Sequence, residues 1–286
     1  MEDYINRIQS IFSDPIETCN VIQTGWSNII IEVNNQWIFR FVRDKSSSQF
    51  NVERDFLSRF YTVSPISIPN IASYGEDYIL YRRIGGERLS PQIYQSMNEP
   101  TRRDLFRKLA SFLSSLHSVD FEHPELVNFP YGGSNFWNEL WPIVEAHLSR
   151  RTRATAKAFF SEMEEQIHAT NFENKITHSD LGSNNILFDN HNNNLSGIID
   201  FSDLALTDPA VDFAGFYRIF GHSFVEQLLK FYQPIIEENF WSRIQYHANR
   251  KLFFVAYYAT HYGFEKHVPS LVNSIEERFS SAESRA

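Results

Sequence analysis

The 286-residue sequence contains a single cysteine, Cys19. One cysteine excludes an intrachain disulfide, a zinc cluster of several thiolates and a CxxC redox motif. The first ten residues are polar and charged and lack the apolar centre of a signal peptide. No apolar stretch reaches the length of a membrane span. We therefore expect a cytoplasmic protein that does not act on membranes.

Positive charge is also scarce, because 26 Lys and Arg residues stand against 35 Asp and Glu residues, giving a net charge of −9. This balance argues against a nucleic-acid partner. Apolar residues make up 42% of the chain and aromatic residues 15%, enough for a sizeable core. The length suits two lobes or domains, and we expect a monomer.

The first third of the chain has the pattern of a β lobe. Residues Ile29–Val33 and Trp37–Val42 are predicted strands, joined by the turn pair Asn34–Asn35 into a hairpin. A helix is predicted over Gln49–Phe60, because its apolar residues recur at helical spacing. A further short strand over Tyr78–Tyr81 leads towards a glycine pair that is typical of a hinge.

Beyond the glycine pair the pattern becomes mainly helical. Apolar residues at helical spacing predict helices over 101–117 and 152–169, and more helices from Pro209 onward. Residues 176–200 read as two short strands around a loop. The sequence therefore predicts an α+β fold with a small antiparallel β lobe carrying one main helix, residues 1–84, and a larger mainly helical lobe, residues 85–286.

Three polar residues, Asp180, Asn185 and Asp200, interrupt the apolar strand-like runs of this middle region. Phosphoryl transfer needs a carboxylate that accepts or orients the proton of the nucleophile, and hard oxygen ligands that hold Mg²⁺ against a triphosphate. Ordinary turn residues are the alternative interpretation, since Asp and Asn are common in loops. The order, spacing and apolar flanks together favour the functional interpretation.

The pattern His178-x-Asp180-x4-Asn185, followed by Ile199-Asp200-Phe201, resembles the catalytic loop and metal motif of the aminoglycoside phosphotransferase family. That resemblance implies a bilobal protein-kinase-like fold, with Asp180 as the catalytic base and Asn185 and Asp200 as Mg²⁺ ligands. His178 would support the loop. Residues 207–214 resemble the D-P-x-x-D segment with which the family braces its catalytic loop.

Arg40 is the predicted cation for the nucleotide phosphates, at the place where protein kinases have lysine. A charge in the middle of a strand is costly without a partner, although an arginine at a sheet edge also reaches solvent. Glu53 and Asp55 on the following helix are both candidate partners. A helical wheel turns Glu53 towards the apolar stripe and favours it, and Asp55 stays open.

Three further segments are predicted to contact the nucleotide. Ser27 belongs to a loop, residues 24–28, that is expected to cover the phosphates. The segment Arg82–Ile84 is expected to offer backbone groups to the base. Tyr81 falls at the gatekeeper position of kinases, where by resemblance a bulky side chain favours GTP. The choice between ATP and GTP rests on this one residue.

Residues 83–88, 220–224, 228–232 and 261–265 resemble the 2''-phosphotransferase branch of the family. This implies that the acceptor is a hydroxyl of a cationic aminoglycoside antibiotic, with a role in resistance. Asp203, Glu237 and Glu238 are the predicted ligands of its ammonium groups. A macrolide, an amino alcohol or a sugar remains an alternative acceptor. A pseudokinase that binds nucleotide without turnover is a further alternative, and only Arg40 in place of lysine favours it.

Overall fold

A computed structural model describes residues 2–24, 28–43, 49–127, 136–138, 140–168, 172–261 and 265–280. The helices are α1 Glu2–Ile11, α2 Gln49–Phe60, α3 Pro91–Ser96, α4 Glu99–Leu116, α5 Leu140–Glu145, α6 Arg150–His168, α7 Ala210–Phe220, α8 His222–Leu229, α9 Phe240–His261 and α10 Val268–Ser280. The strands are β1 Cys19–Thr24, β2 Asn28–Val33, β3 Trp37–Val42, β4 Ile71–Tyr74, β5 Tyr78–Arg82, β6 Glu87–Arg88, β7 Lys175–Thr177, β8 Ile186–Asp189, β9 Asn194–Ile198 and β10 Ala205–Thr207.

The chain divides into two compact units. The first comprises residues 1–126 and 183–202, and the second residues 127–182 and 203–286. The segment of the predicted catalytic loop thus passes from the second unit into the first after Gly182. The lobe boundary after residue 84 stays a prediction.

The main sheet of the first unit is antiparallel, with strand order β1-β2-β3-β5-β4. Strands β2 and β3 form the predicted hairpin, and both turn residues, Asn34 and Asn35, take the left-handed conformation with φ near 53°. The face of β3 that carries Trp37, Phe39 and Phe41 lies in an apolar cluster. The opposite face of β3 carries the buried Arg40.

Helix α1 covers the aromatic face of this sheet and was not predicted from the sequence. Its Ile8 is fully buried, and the ring of Tyr4 lies 5.0 Å from that of Phe41. Few apolar residues carry this contact within a helix that is otherwise polar. Tyr4, Ile8 and Ile11 nevertheless recur at helical spacing, so the amphipathic pattern was present in the sequence, whereas a helix of ten residues is stable only through its tertiary packing.

The first unit also contains a three-stranded sheet of order β6-β8-β9. Residues 176–200, predicted as two short strands around a loop, contain most of β7 as well as β8 and β9, and β8 and β9 form an antiparallel hairpin. In the second unit β7 pairs with β10, and the helices α5, α6, α9 and α10 pack around an aromatic cluster. Phe160 and Phe253 belong to that cluster and lie 5.2 Å apart, ring centre to ring centre.

Among the residues described, no helix combines the length and the apolar character that crossing a bilayer requires.

Candidate active site

The two predicted magnesium ligands lie at the same end of the β8–β9 hairpin in the first unit. Asn185 immediately precedes β8 and Asp200 follows β9 by two residues, and Ile186 faces Ile198 in the antiparallel register. The amide of Ile199 donates to the carbonyl of Asn185 at 2.9 Å. The fold thus brings together two residues that are 15 positions apart in the sequence.

Asp200 has a backbone conformation that residues other than glycine rarely adopt. Its φ is 66°, in the left-handed region. Ser202, which stands where protein kinases have glycine, donates its hydroxyl to the Asp200 carboxylate at 2.8 Å. A strained backbone persists only where its surroundings hold it, and such positions concentrate at functional sites.

The donor types at this hairpin end fit Mg²⁺. The carboxylate of Asp200 and the side-chain amide of Asn185 offer hard oxygen atoms, which this ion prefers, and it commonly takes its remaining ligands from water and phosphate. Within the described ranges there is no group of three or more His, Cys, Asp or Glu side chains that would hold a metal by themselves.

Arg40 and Glu53 form an ion pair in the interior of the first unit. Arg40 Nη1 donates to Glu53 Oε1, and Arg40 Nη2 lies 3.4 Å from Asn28 Oδ1. Only 3% of Arg40 and 2% of Glu53 are exposed. The other candidate, Asp55, pairs with Arg54 at 2.8 Å instead. The helical wheel therefore selected the correct partner, and the contact of this pair with nucleotide stays a prediction.

The charges around Arg40 connect it with the proposed metal site. Burial alone lowers the pKa of Arg40, but the carboxylates of Glu53 and Asp200 raise it more, so the net shift is upward. Burial raises the pKa of Tyr81, and Asp200 and Glu53 add to this effect while Arg40 opposes it. Arg40, Glu53, Tyr81 and Asp200 therefore influence one another's charge within the first unit, and we refer to these four residues as one electrostatic group.

A cavity of about 200 Å³ lies beside this group. It is largely apolar and is lined by Ile22, Ile30, Ile38, Tyr81, Arg83, Ile84, Gly86, Arg88, Leu187 and Ile199. Tyr81 and Ile84 were predicted to contact the base, whereas the guanidinium of Arg82 stacks on Trp37 at 4.5 Å. The predicted role of Arg82 through its backbone stays a prediction. Ser27 lies outside the described residues.

The predicted base, Asp180, lies in the second unit on a loop that is braced by helix α7. The Asp212 carboxylate accepts hydrogen bonds from the amides of His178, at 3.0 Å, and Ser179, at 2.7 Å. Ser179 has a left-handed φ of 66°. His178 is fully buried, and the amide of Asp180 donates to its Nδ1 at 3.4 Å. The brace predicted for residues 207–214 is therefore present.

A second brace starts from Asp208, the second residue of the same segment. This buried carboxylate accepts hydrogen bonds from Arg243 Nε at 3.0 Å and from the amide of Ala210 at 3.0 Å, and it contacts His247 Nε2 at 2.9 Å. Burial tends to raise the pKa of Asp208, but His247 and Arg243 outweigh it and hold the pKa below its ordinary value. The segment is thus anchored to helix α9 by charge.

Sequence reasoning missed Lys251, whose ammonium contacts the predicted base. Lys251 Nζ lies 2.9 Å from Asp180 Oδ1 and 4.0 Å from Asp203 Oδ2. It follows Arg243 and His247 at intervals of four residues, so all three lie on one face of α9. This spacing of basic residues was a signal in the sequence, but it did not reveal which carboxylates the residues meet.

The predicted acceptor-binding carboxylates have different surroundings. Asp203 lies beside Lys251, and Glu237 accepts a hydrogen bond from Arg243 Nη2 at 2.9 Å. Glu238 is exposed. Two of the three therefore already face a cation of the chain itself, and their contact with an acceptor stays a prediction.

The antiparallel sheet with a buried Arg–Glu pair, the hairpin that ends in Asn and Asp, and the braced loop that carries Asp180 are features of a protein-kinase-like fold. The profile described as the phosphotransferase enzyme family, APH, matches residues 18–243. The chain belongs to this family. The predicted resemblance and α+β kinase-like fold are confirmed.

Individual relatives are more distant. Viomycin phosphotransferase of Streptomyces vinaceus is 27% identical over 177 residues, which are 59% of this chain and 58% of that protein. The match thus spans less than two thirds of that relative's length. The GDP and kanamycin complex of APH(2'')-IIIa superposes with a TM-score of 0.82 at 19% identity, over 97% of this chain and 98% of the other. A macrolide 2'-phosphotransferase type I gives 0.68 at 18% identity, over 96% of each chain. At these identities the structures support the fold alone.

Proposed function

We propose that the protein transfers the terminal phosphoryl group of ATP or GTP to a hydroxyl of a small molecule. Asp180 would act as base, Asn185 and Asp200 would hold Mg²⁺, and Arg40, oriented by Glu53, would contact the nucleotide phosphates. The observation that carries the proposal is that Asn185 and Asp200 lie at one end of the β8–β9 hairpin, where Asp200 belongs to the same electrostatic group as Arg40 and Tyr81. The nucleotide complexes among the structural relatives, such as the GDP complex, agree with it.

The proposed reaction is a direct in-line transfer. The acceptor oxygen forms a bond to the terminal phosphorus while the bond from that phosphorus to the bridging oxygen breaks, and the hydroxyl proton passes to the Asp180 carboxylate. The diphosphate leaves with the electrons of the broken bond. Mg²⁺, when bound, would neutralise charge on the phosphate oxygens. Because the transition state is loose, positioning and charge stabilisation are the main tasks of the protein.

The acceptor that we propose first is an aminoglycoside, phosphorylated at a 2''-type hydroxyl. Support comes from the segments at 83–88, 220–224, 228–232 and 261–265, which resemble that branch of the family. Structural relatives were solved with kanamycin and with gentamicin. Asp203, Glu237 and Glu238 would receive ammonium groups of such an acceptor. A role in antibiotic resistance follows if these compounds are its substrates.

An acceptor with fewer positive charges is the second candidate, such as a macrolide, an amino alcohol or a sugar. The observation that favours it is the pairing of Asp203 with Lys251 and of Glu237 with Arg243. Carboxylates that already face cations of the chain attract an added ammonium group less strongly. A screen of aminoglycosides, macrolides and amino alcohols in a coupled nucleotide assay separates the two candidates, and the absence of turnover on every aminoglycoside would exclude the first.

Substitution of the proposed base tests the reaction itself. Asp180→Asn removes the proton acceptor with little change in shape, so we expect the turnover number to fall by about 10³-fold. Nucleotide affinity should stay within about twofold of the parent, because the proposed nucleotide ligands lie in the other unit. Turnover is measured with the best acceptor of the screen, and affinity by titration calorimetry. Unchanged turnover in Asp180→Asn would refute the assignment of the base.

A further inference from the structure

We propose that Lys251 is a positioning residue for phosphoryl transfer, which acts by holding the carboxylate of Asp180 ionised and in one orientation. The proposal rests on the proposed function, in which Asp180 is the base. Its geometric basis is the ion pair of 2.9 Å from Lys251 Nζ to Asp180 Oδ1. The side chain of Lys251 is 15% exposed, against 40% for Asp180. A mostly buried ammonium therefore meets a carboxylate that remains open to solvent.

Lys251 completes a row of basic residues on helix α9, and each of the three contacts a carboxylate of the catalytic segment. Arg243 and His247 contact Asp208, which lies in the segment that braces the catalytic loop. One helical turn further along, Lys251 contacts Asp180 itself. The first two members of the row thus fix the supporting segment, and the third reaches the reacting group. A rigid helix that also supplies these anchors holds the ammonium in a defined place.

Asp180 lines a small pocket that also carries basic side chains. The pocket has a volume of only about 20 Å³, close to that of one water molecule, and Asp180 shares its lining with Arg218 from α7 and with His247 and Lys251 from α9. Asp203 lies on the other side of the ammonium, 4.0 Å from Lys251 Nζ. The ammonium also lies 5.7 Å from the ring centre of Phe254. These neighbours restrict the places that the ammonium can occupy.

The expected effect on the reaction follows from the loose transition state of phosphoryl transfer. Little proton transfer is needed before the phosphoryl group has largely left the nucleotide, so the orientation of the base matters more than its basicity. An ammonium on one carboxylate oxygen limits rotation of the Asp180 side chain. It also favours the ionised carboxylate, because an opposite charge within about 4 Å stabilises the charged form.

The test compares Lys251→Met, which removes the charge and keeps the length, with Lys251→Arg, which keeps the charge. In Lys251→Met we expect the turnover number to fall by about 30-fold, with the KM for nucleotide unchanged. The acidic limb of kcat/KM for the acceptor should move upward by about one pH unit, because Asp180 loses its nearest cation. His178, Arg218 and His247 are titratable or charged groups that also lie near Asp180. The acidic limb of the pH profile is therefore compared between the parent, Lys251→Met and Lys251→Arg, in which these three groups are unchanged. Lys251→Arg should recover at least a third of the turnover.

Lys175→Met is the matched control, because Lys175 forms an ion pair of 2.6 Å with Glu173 in the same unit. Its turnover and pH profile should stay those of the parent. A merely structural Lys251 would lower the melting temperature of Lys251→Met without moving the pH limb, and that result would overturn the proposal. So would unchanged turnover. Either result with an inactive Asp180→Asn leaves the proposed function standing, whereas a fully active Asp180→Asn refutes the assignment of Asp180 as the base, on which the role of Lys251 rests.

Discussion

At the scale of single residues, we expect the buried ion pair of Arg40 and Glu53 to affect the free energy of unfolding strongly. Two charges taken out of water are tolerable only together, because their mutual attraction and hydrogen bonds offset the desolvation of each. The sequence located this pair correctly because a charge in the middle of a strand requires a partner, and helical geometry turned one of two nearby carboxylates inward. The same reasoning missed Lys251, since nothing local reveals which loop a helix faces.

Substitution of Glu53 measures what the pair contributes. Glu53→Gln leaves the buried Arg40 with a neutral partner, and we expect the free energy of unfolding to fall by about 3 kcal/mol. The KM for nucleotide should rise in the same variant, because the guanidinium loses its orienting carboxylate. Stability is measured by urea denaturation and KM by steady-state kinetics.

Asp55→Asn is the control for this measurement, because Asp55 lies on the same helix but pairs with Arg54 near the surface. Exposed ion pairs contribute little, so this change should cost less than about 1 kcal/mol. Equal losses in the two variants would mean that the buried pair has no special role.

At the scale of elements, helix α7 meets the catalytic loop at a glycine. A Cβ atom added to Gly215 would lie 1.7 Å from the carbonyl oxygen of Leu181, the residue that follows the proposed base. That distance forces the helix and the loop apart, since the obstructing atom is backbone. The same helix carries Asp212, whose carboxylate holds the amides of His178 and Ser179.

Gly215→Ala should therefore damage both stability and catalysis. We expect a loss of at least about 2 kcal/mol in the free energy of unfolding, as for overpacked cores. Turnover should fall by about 100-fold, because a small displacement of the base is costly. The control for stability is Gly85→Ala, where an added Cβ meets nothing within 4 Å. Equal melting temperatures of both variants would contradict the close packing of α7 on the loop.

The elements also show which parts of the fold a sequence can predict. The strands β2 and β3 and helix α2 were predicted almost to the residue, because their apolar periodicity is strong and a turn pair separates the strands. Helix α1 and strands β1 and β4 were not predicted from the sequence. Ile8 in α1 is buried against a distant strand, and β4 has alternating exposure without a strong apolar run. Their positions depend on pairing and packing that local sequence does not contain.

At the scale of the whole molecule, the residues proposed to act in phosphoryl transfer come from both units. Arg40, Glu53, Tyr81, Asn185 and Asp200 belong to the first unit, and Asp180, Asp203 and Lys251 belong to the second. The motif that joins them, His178-x-Asp180-x4-Asn185, continues from one unit into the other. Asp180 and Asn185 were predicted from this motif and Asp200 from the segment that follows it, and their roles stay predictions, whereas the contact of Lys251 with Asp180 became visible only in the fold.

Nucleotide binding provides a test at this scale. A ligand that binds the native state raises its stability by mass action, by about 2.7 kcal/mol at 100 times its dissociation constant. For a chain of this size we expect the melting temperature to rise by about 5 °C with nucleotide and Mg²⁺. GTP should give the larger rise, because by resemblance Tyr81 falls at the gatekeeper position of kinases, where a bulky side chain favours GTP.

The variants separate the parts of this response. Asp200→Asn removes a proposed metal ligand, so the portion of the rise that EDTA abolishes in the parent should be absent. Asp180→Asn should keep the whole rise, because the base lies outside the unit assigned to the nucleotide. Tyr81→Ala should bring the rises with ATP and GTP closer together by removing the bulky side chain. The melting temperatures of the parent and the three variants are measured by differential scanning fluorimetry. If nucleotide raised the melting temperature of the parent equally with and without Mg²⁺, the assignment of Asn185 and Asp200 as metal ligands would be contradicted.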